Sequence, residues 1–489
     1  MLRSGLATSG AEAVRLDVDV TGVQQLRLQV DQYDANRWFD AVSFGVPTLA
    51  CTSPPRPGEP FPGPVSAGGR AGPGTSPIPI PSNHRGRHGA AAPRRAGKAR
   101  MSRPVRITEK ATPAVLRERN TELVLQSVLA GGGTVSRADI ARSTGLARAV
   151  VSQIMEGLVA RRLVVEETAR PSGRGKPATL LRIDTGRHCL LMADVRPAEV
   201  LGGVVGLDGA IGATARTALP ARPGGADVVA ALVPMLRTLA RDDGRAVLSA
   251  GVAVPGIVSP EQRVIEALQL RWKDVDLAGP LAGALGHEVV LVNDATAVGM
   301  SELSVQSRAG DSVIVLHIAG GIGSAVLLDG RVHLGERQRA GEVGHIDVGV
   351  SDRRCECGRR GCLETVASLP AVLDGAPVEE LDAVSSPGDA PATPELEALA
   401  ARVDYAGKSL AALLCVQAAI LDIGDVVIDG PVRRAGERLL DAIERELAVR
   451  LPPSDVRRPR FSTMAEHSIM HGAAATAMHH RLGVIWHSA

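Results

Sequence analysis

One histidine and three cysteines are spaced so that they could bind one metal ion. They are His345, Cys355, Cys357 and Cys362, and two glycines between the last two cysteines permit a tight loop. Imidazole nitrogen and thiolate sulfur are ligands that tetrahedral zinc prefers, and four protein ligands leave no coordination position open. The pattern therefore predicts a structural zinc rather than one that activates water. The alternative is a loop of reduced cysteines without metal.

The elements around this cluster have the pattern of an α/β domain over residues 185–489. Continuous apolar runs at 289–292 and 313–316 are typical of strands buried on both faces. Helical spacing recurs near Val228–Leu239, Lys408–Leu421 and Gly436–Leu451. Strands that alternate with helices indicate a sheet covered by helices. Residues 375–395, rich in Pro, Ala, Asp and Ser, are expected to form a surface loop.

Residues 113–184 have a different pattern, with three short helices followed by a hairpin. Apolar residues recur at helical spacing from Leu116 to Leu129, and a run of three glycines ends that helix. Ser136 is expected to cap a second helix that ends near Arg142, and Gly145 to take positive φ in the next turn. A third helix follows over 148–161, with strands at 163–165 and 179–183. This order predicts a winged helix-turn-helix.

The third helix and the wing supply the candidate DNA contacts. Arg148, Ser152 and Gln153 are expected on the outer face of the third helix, where arginine and glutamine suit guanine and adenine. Arg174 and Lys176 flank a glycine in the basic turn of the hairpin, which could enter a minor groove. The alternatives are a helical hairpin without a DNA role and an ordinary solvated turn.

The leader, residues 1–112, is expected to be disordered because it is rich in Pro, Gly and Arg. Its first 50 residues alternate weakly with the period of strands, but two or three strands cannot bury a face alone. A basic leader could add nonspecific attraction to DNA. The composition also changes at Met101, so Met101 could be the true start of the protein.

From residue 113 onward the chain resembles the ROK family, a group of bacterial sugar kinases and sugar-responsive repressors. The Glu-x-Gly-His motif ending at His345 and the Cys-x-Cys-Gly-x-x-Gly-Cys-x-Glu motif ending at Glu364 are complete. The resemblance implies a two-lobed, actin-like ATPase fold (ribonuclease H-like), with the sugar bound between the lobes. It also implies that His345 both binds zinc and faces the sugar.

The same resemblance implies which side chains hold the sugar. Glu342 and Glu364 take positions that bind sugar hydroxyls, Asn293 that of a sugar contact and Asp294 that of the catalytic base. Carboxylates and amides suit this task because they accept and donate hydrogen bonds to several hydroxyls, and a carboxylate can also act as a general base. Gln269 stands where the family often has Asn, so its longer side chain is a weaker candidate that could change the preferred sugar.

The segments that would hold ATP depart from the family pattern. After the first strand, Asp194 is kept, but the glycines and threonine of Asp-x-Gly-Gly-Thr are missing and Pro197 removes an amide donor. The second phosphate loop, residues 319–325, has lost its threonine and two glycines, and Asp429-Gly430 replaces a glycine pair. We therefore expect that ATP and Mg²⁺ are not used, with an active ATP-dependent hexose kinase as the alternative.

The composition sets the class of protein and its partners. Aromatic residues are 2% of the chain, too few to stack single-stranded nucleic acid, and the net charge of +2 requires any DNA contact to be local. Six cysteines are too few for a disulfide scaffold, and neither a signal peptide nor an apolar run of about 20 residues is visible. We expect a cytoplasmic homodimer or homotetramer without membrane contact. Its expected partners are double-stranded operator DNA and a sugar, and a repressor is expected more often than an activator. A zinc-stabilised scaffold without either ligand is the remaining alternative.

Overall fold

The computed structural model describes residues 112–168, 179–305, 312–386, 393–452 and 457–486. All of them lie in the second of two compact units, which begins at Ser102. The expectations for residues 1–111, and those for Arg174 and Lys176, therefore fall outside the described residues.

The described chain begins with three helices and a two-stranded antiparallel sheet. They are α1 (Pro113–Ala130), α2 (Arg137–Thr144), α3 (Arg148–Ala160), β1 (Val164–Thr168) and β2 (Thr179–Ile183). Ser136 and Asp139 form a reciprocal capping box at the start of α2, and Gly145 ends it with φ +74°. Ala147 gives α3 no side-chain cap. The order and approximate bounds of these elements agree with the sequence prediction.

The buried face of α1 uses only part of the apolar run from Leu116 to Leu129. The core side of α1 is formed by Val124, Leu125 and Val128, while Leu116 and Leu123 are exposed. Because apolar residues stand side by side in this helix, either of two faces could have been the buried one, and packing selected one of them. In α3, Met155 is buried together with Val151 and Leu158.

The next part is a five-stranded mixed sheet with two helices on one side. Its elements are β3 (His188–Val195), β4 (Glu199–Gly206), β5 (Ile211–Ala218), α4 (Gly225–Asp243), β6 (Ala246–Val254), α5 (Ala278–Leu285) and β10 (Val289–Asn293). The strand order is β10-β6-β3-β4-β5, with β10, β6 and β3 parallel. A small antiparallel sheet comprises β7 (Ile257–Val258), β8 (Val264–Ala267) and β9 (Trp272–Val275).

A second five-stranded mixed sheet follows helix α6 (Asp294–Val305). Its order is β13-β12-β11-β14-β15, and β11, β14 and β15 are parallel. These strands are β11 (Val313–Ile318), β12 (Ile322–Leu328), β13 (Arg331–Val332), β14 (Val426–Asp429) and β15 (Arg460–Phe461). The helices are α7 (Glu364–Ala367), α8 (Leu369–Leu373), α9 (Glu380–Ala383), α10 (Pro394–Leu421), α11 (Gly436–Arg450) and α12 (Ser468–Leu482), with 3₁₀ turns at Val343–His345, Pro431–Ala435 and Ala465–His467. The expected loop 375–395 is wrong in part, because it contains α9 and the start of α10.

Helices α6 and α12 join the first sheet to the second. Gly251 of β6 and Gly472 of α12 permit backbone contact, since an added Cβ would lie 1.9 Å from the Ala473 oxygen and 1.6 Å from the Ala297 oxygen respectively. The hydrophobic cluster around these helices extends into α1 and α3, so the N-terminal helices share a core with this part of the chain. The mixed α/β architecture expected from the sequence is confirmed.

By length and composition alone, α10 is the one helix in the described part of the chain that could cross a membrane. However, 44% of its most apolar window is buried inside the structure. Leu399, Val403, Leu410 and Leu414 belong to a hydrophobic cluster that α10 shares with α11 and the second sheet. This packing is that of a core helix.

Candidate functional site

The carboxyl ends of four parallel strands meet at one cavity of about 850 Å³. Asp194 lies near the end of β3, Asn293 ends β10, His317 lies near the end of β11 and Asp429 ends β14. Ligands of α/β proteins bind at this edge of a sheet because the loops that follow the strands converge there. Both five-stranded sheets contribute to the cavity, so it is a cleft between them.

All five side chains predicted to bind sugar line this cleft: Asn293, Asp294, Glu342, His345 and Glu364. The Asn293 amide is held in place, since it donates to the Gly256 oxygen at 2.9 Å and accepts from the Thr296 amide at 3.0 Å. It also donates to Asp294 Oδ1 at 3.0 Å. Asp294 begins α6, where its carboxylate accepts from the Ala295 amide at 2.7 Å.

The cleft holds several half-buried carboxyl groups close together. Burial raises the pKa of Asp294, that of Glu342 and that of Glu364, the last to about 7. Asp294 also raises the pKa of Glu342 by charge repulsion. A ligand with several hydroxyls suits such a wall, because a hydroxyl donates to a carboxylate and accepts from a carboxylic acid. For each of these residues, a contact with a sugar hydroxyl stays a prediction.

The predicted metal ligands come together in a single cluster. The ligand atoms of His345, Cys355, Cys357 and Cys362 all lie within 4.8 Å of one another, so these side chains could hold a metal ion. Cys355 Sγ is 3.6 Å from His345 Nδ1, and Cys357 Sγ is 3.6 Å from Cys362 Sγ. Tetrahedral zinc with ordinary bond lengths would separate such atoms by about 3.6–3.8 Å. The donor set and its spacing therefore fit zinc.

The metal cluster meets the cleft at His345 and Cys357, which belong to both, and Glu364 lies beside it. Glu364 begins α7 two residues after Cys362, and its Oε2 lies 3.5 Å from His345 Nδ1. The positions of His345 and Glu364 thus depend on the loop that the cysteines form.

The segments predicted to have lost ATP binding line the cleft and make contacts of their own. Arg196 Nε donates to the buried Asp194 carboxylate at 2.7 Å, so an ion pair stands where the family pattern has its first phosphate loop. The Ala319 amide donates to the Gly321 oxygen at 2.9 Å, which uses a donor of the second loop. Gln269 covers this loop: a Cβ added at Gly320 would be 2.8 Å from its Oε1.

A buried pair in the cleft, His317 and Asp429, was not predicted from the sequence. His317 Nδ1 is 2.8 Å from Asp429 Oδ2, and both residues line the cleft. Burial lowers the pKa of His317, but the hydrogen bond and the charge of Asp429 raise it. The net shift of this pKa is upward. A histidine in the otherwise apolar run of β11 was the signal that could have found this pair.

Two of the three DNA-contact candidates in the described residues are open to solvent. Arg148 and Gln153 are exposed on α3, whereas Ser152 is half-buried on the same helix. Arg148 stands in the first turn of α3, and its contact with DNA stays a prediction.

Comparison with known proteins places this site in a family. The profile of the ROK family matches residues 199–480. The xylose repressor of Bacillus subtilis is 25% identical over 264 residues, which are 53% of this chain and 68% of that protein. The Escherichia coli DNA-binding transcriptional dual regulator NagC is 24% identical over 349 residues, 64% of this chain and 80% of that protein.

Solved structures show the same architecture. A ROK family transcriptional regulator, a homologue of the E. coli MLC protein, superposes with a TM-score of 0.63 at 25% identity, over 73% of this chain and 95% of its own. The ROK family glucokinase of Streptomyces griseus superposes with a TM-score of 0.50 at 22% identity, over 58% of this chain and 98% of its own. The domain accordingly has the actin-like sugar kinase fold. Because the family profile covers more than half of the chain, the protein belongs to the ROK family.

Proposed function

We propose that this protein is a sugar-responsive DNA-binding transcriptional regulator, acting as a repressor, that has lost phosphoryl transfer. The observation that carries the proposal is an N-terminal group of helices joined to a ROK domain whose phosphate-loop segments bond to their own residues. Residues 113–184 would be the DNA-binding domain, residues 185–489 the sugar-binding domain and residues 1–112 a leader. The protein would act in the cytoplasm as a homodimer or homotetramer on double-stranded operator DNA.

The N-terminal helices support the DNA-binding half of the proposal. The helix–turn–helix of α2 and α3, followed by the β1–β2 hairpin, has the order of a winged helix-turn-helix. The MLC homologue matches 73% of the chain and the glucokinase 58%, and the difference of 15% of 489 residues is about 73 residues, the size of this segment. Arg148, Ser152 and Gln153 would contact bases, while Arg174 and Lys176 would contact the minor groove.

The cleft supports the sugar-binding half. Asn293, Asp294, Glu342, His345 and Glu364 would contact the hydroxyls of a hexose or amino-sugar derivative. One relative is a xylose repressor and another, from Escherichia coli O6:H1, is an N-acetylglucosamine repressor, so related proteins are named for different sugars. His345, Cys355, Cys357 and Cys362 would hold zinc, which would supply structural support for the loop that positions His345 and Glu364.

The sequence and the contacts of the phosphate-loop segments argue against a kinase. Phosphoryl transfer depends on backbone donors and a cation around the transferred group. In this chain Asp194 is paired with Arg196, and the 319–321 loop bonds to itself and lies under Gln269. Asp294 would then act as a sugar contact only. The alternative function is that of an active kinase, and a measurement of ATP turnover tests it.

A continuous set of contacts leads from the cleft to the N-terminal helices. Asp294 begins α6, which packs on α12 through the contact between Gly472 and Ala297. The segment after α12 carries Ile485. Its backbone amide donates to Gln126 Oε1 at 2.9 Å, and its carbonyl oxygen accepts from Gln126 Nε2 at 2.8 Å. We propose that the sugar binds two conformations of the protein with different affinities. Its binding would thereby shift the DNA head, residues 113–184, along this route.

The proposal is tested by selecting DNA from a random pool with the full, zinc-loaded chain. Sequences enriched in two half-sites are expected, and Arg148→Ala should lose the preference while Arg187→Ala, a surface change outside the proposed head, should keep it. A candidate sugar should then alter the affinity for the selected duplex. Enrichment that persists after deletion of residues 113–183 would contradict the assignment of the DNA head.

A further inference from the structure

Two opposite charges face each other across the cleft. Glu266 lies on β8, Arg339 lies in the loop between β13 and the 3₁₀ turn at Val343–His345, and both residues line the cleft. Glu266 Oε2 is 3.7 Å from Arg339 Nη1, and the two side chains are 33% and 50% exposed. Among the described residues, neither side chain has a second ion-pair partner. Each charge is therefore available to the other.

Glu266 belongs to the first lobe, the part of the domain built on the sheet of β3. Val264 and Ala267 of the same strand are buried in one hydrophobic cluster with residues of β3 and α4. A Cβ added at Gly256, which has φ +113°, would lie 2.2 Å from the Glu266 backbone oxygen. The Gly256 oxygen in turn accepts from the Asn293 amide at 2.9 Å. The backbone of Glu266 is thus fixed against a turn that a proposed sugar contact, Asn293, holds.

Arg339 belongs to the second lobe, the part built on the sheet of β11. The loop that carries it is joined to β12, because the Ser324 amide donates to the Gly341 oxygen at 2.9 Å. Gly341 has φ +103°, and a Cβ added there would lie 2.0 Å from the Ser324 oxygen, so only glycine permits this approach of two backbones. Glu342 follows directly in the chain. The positions of Arg339 and Glu342 therefore depend on the same loop.

A second contact joins the two lobes close to the first. Gln269, which follows β8, lies against the turn between β11 and β12. Its Oε1 would be 2.8 Å from a Cβ added at Gly320, and its Nε2 2.9 Å from one added at Gly321. Glu364 Oε1 would be 3.1 Å from that same Cβ at Gly321. The segment from Glu266 to Gln269 therefore meets the second lobe beside the proposed sugar contacts.

We infer that Glu266 and Arg339 are positioning residues, an ion pair that draws the two lobes together over the sugar and fixes the loop of Glu342. This inference rests on the proposed function, because it concerns the regulation of the same cleft. At 3.7 Å the opposite charges attract, but their atoms are too far apart for a hydrogen bond. A small closure of the cleft would strengthen the pair, so a sugar that favours the closed conformation gains affinity from it without touching either residue.

The alternative is that the two charges act only on Glu342. Burial is the main cause of the raised pKa of Glu342, Asp294 and Glu266 raise this pKa further, and Arg339 lowers it. Reversing the charge of Glu266 and reversing that of Arg339 would then affect Glu342 in opposite directions. An ion pair between the lobes instead weakens in both cases, and swapping the two residues restores it.

The test uses the full, zinc-loaded chain and three variants: Glu266→Arg, Arg339→Glu and the double variant that swaps the two residues. Hydrogen exchange followed by mass spectrometry reports on the loop of residues 333–342 without any sugar. Exchange in this loop should become roughly two- to fivefold faster in each single variant, the factor that a partly exposed ion pair supplies, and return to the wild-type rate in the double variant. Arg263→Glu, which breaks an ion pair with Asp274 inside the first lobe, should leave the loop unchanged.

Isothermal titration calorimetry on the same proteins tests the link to the sugar. The sugar panel is glucose, xylose and N-acetylglucosamine. Whichever of them binds the wild-type chain should bind roughly two- to fivefold more weakly to both single variants. The double variant and Arg263→Glu should bind it as the wild type does.

Two results would overturn the inference and leave the proposed function standing. One is a rate of exchange in the loop that the single variants do not change or that the double variant does not restore. The other is a sugar affinity that rises in one single variant and falls in the other, which would show an effect on Glu342 alone. If no sugar binds and the DNA selection also fails, the proposed function falls, and hydrogen exchange still decides whether the pair joins the lobes.

Discussion

Gly472→Ala should separate the two helices that connect the cleft to the N-terminal helices. An ideal Cβ on Gly472 would lie 1.6 Å from the Ala297 oxygen, 1.4 Å short of the 3.0 Å that real Cβ atoms essentially always keep. Helix α12 would have to move away from α6 by about that distance. Overpacking costs about 1–3 kcal/mol and occasionally more, and here the obstacle is backbone that cannot rotate away. We expect a loss of at least about 2 kcal/mol in the free energy of unfolding, after a gain of about 1 kcal/mol from helix propensity.

Gly283→Ala is the matched control for this change. Gly283 also lies inside a helix, α5, and an added Cβ there meets nothing within 4 Å. This variant should therefore be stabilised by about 0.5–1 kcal/mol. The assay is urea unfolding followed by circular dichroism, with midpoint and slope compared among the three proteins. A Gly472→Ala midpoint equal to or above that of the wild type would refute the close contact between α6 and α12.

The remaining predictions concern the metal, a buried histidine, the DNA head and catalysis. The purified protein should hold about one zinc per chain by elemental analysis, and Cys357→Ser should lose the metal and the sugar response while Cys415→Ser keeps both. Burial lowers the pKa of His471 from 6.5 to about 4, so below pH 6.5 the unfolded chain binds the proton that the folded chain refuses. The free energy of unfolding should therefore fall by about 2 kcal/mol between pH 7.5 and 5.0. This pH dependence should be missing from His471→Asn in parallel urea titrations. Arg148→Ala should cost about 1–3 kcal/mol on the preferred duplex, read by fluorescence anisotropy, and little on unrelated DNA. Coupled ADP release with Mg²⁺ and the sugar panel should stay below about 1 per second, since a faster rate would be that of a working kinase.

Much of the metal cluster could be predicted because its ligands lie within eighteen residues of one another. Donor types and glycine spacing determine such a loop locally, and the structure brings all four ligand atoms together. The capping box of Ser136 and Asp139 and the positive φ of Gly145 were local for the same reason. The strand ends were also predictable, since buried apolar runs ended at polar residues such as Asn293.

Features that depend on distant segments could not be predicted in this way. His317 and Asp429 are 112 residues apart, and only the parallel pairing of β11 with β14 brings them together. Gln126 meets Ile485 across 359 residues, and no local pattern marks either as a contact. The exposed side of α1 likewise depended on which partner its apolar residues found, because two faces of the helix were similar in the sequence.

The central claim is that a sugar bound in the cleft changes the affinity of the protein for its operator. The most direct measurement is fluorescence anisotropy of the selected duplex, titrated with the full, zinc-loaded chain at fixed salt with and without each sugar. The account predicts that one sugar shifts the dissociation constant at least tenfold, that Asp294→Asn reduces this shift, and that an unrelated duplex shows none. The account would be contradicted if the protein binds the duplex tightly and sequence-specifically, a sugar binds the protein by calorimetry, and that sugar leaves the affinity for the duplex unchanged.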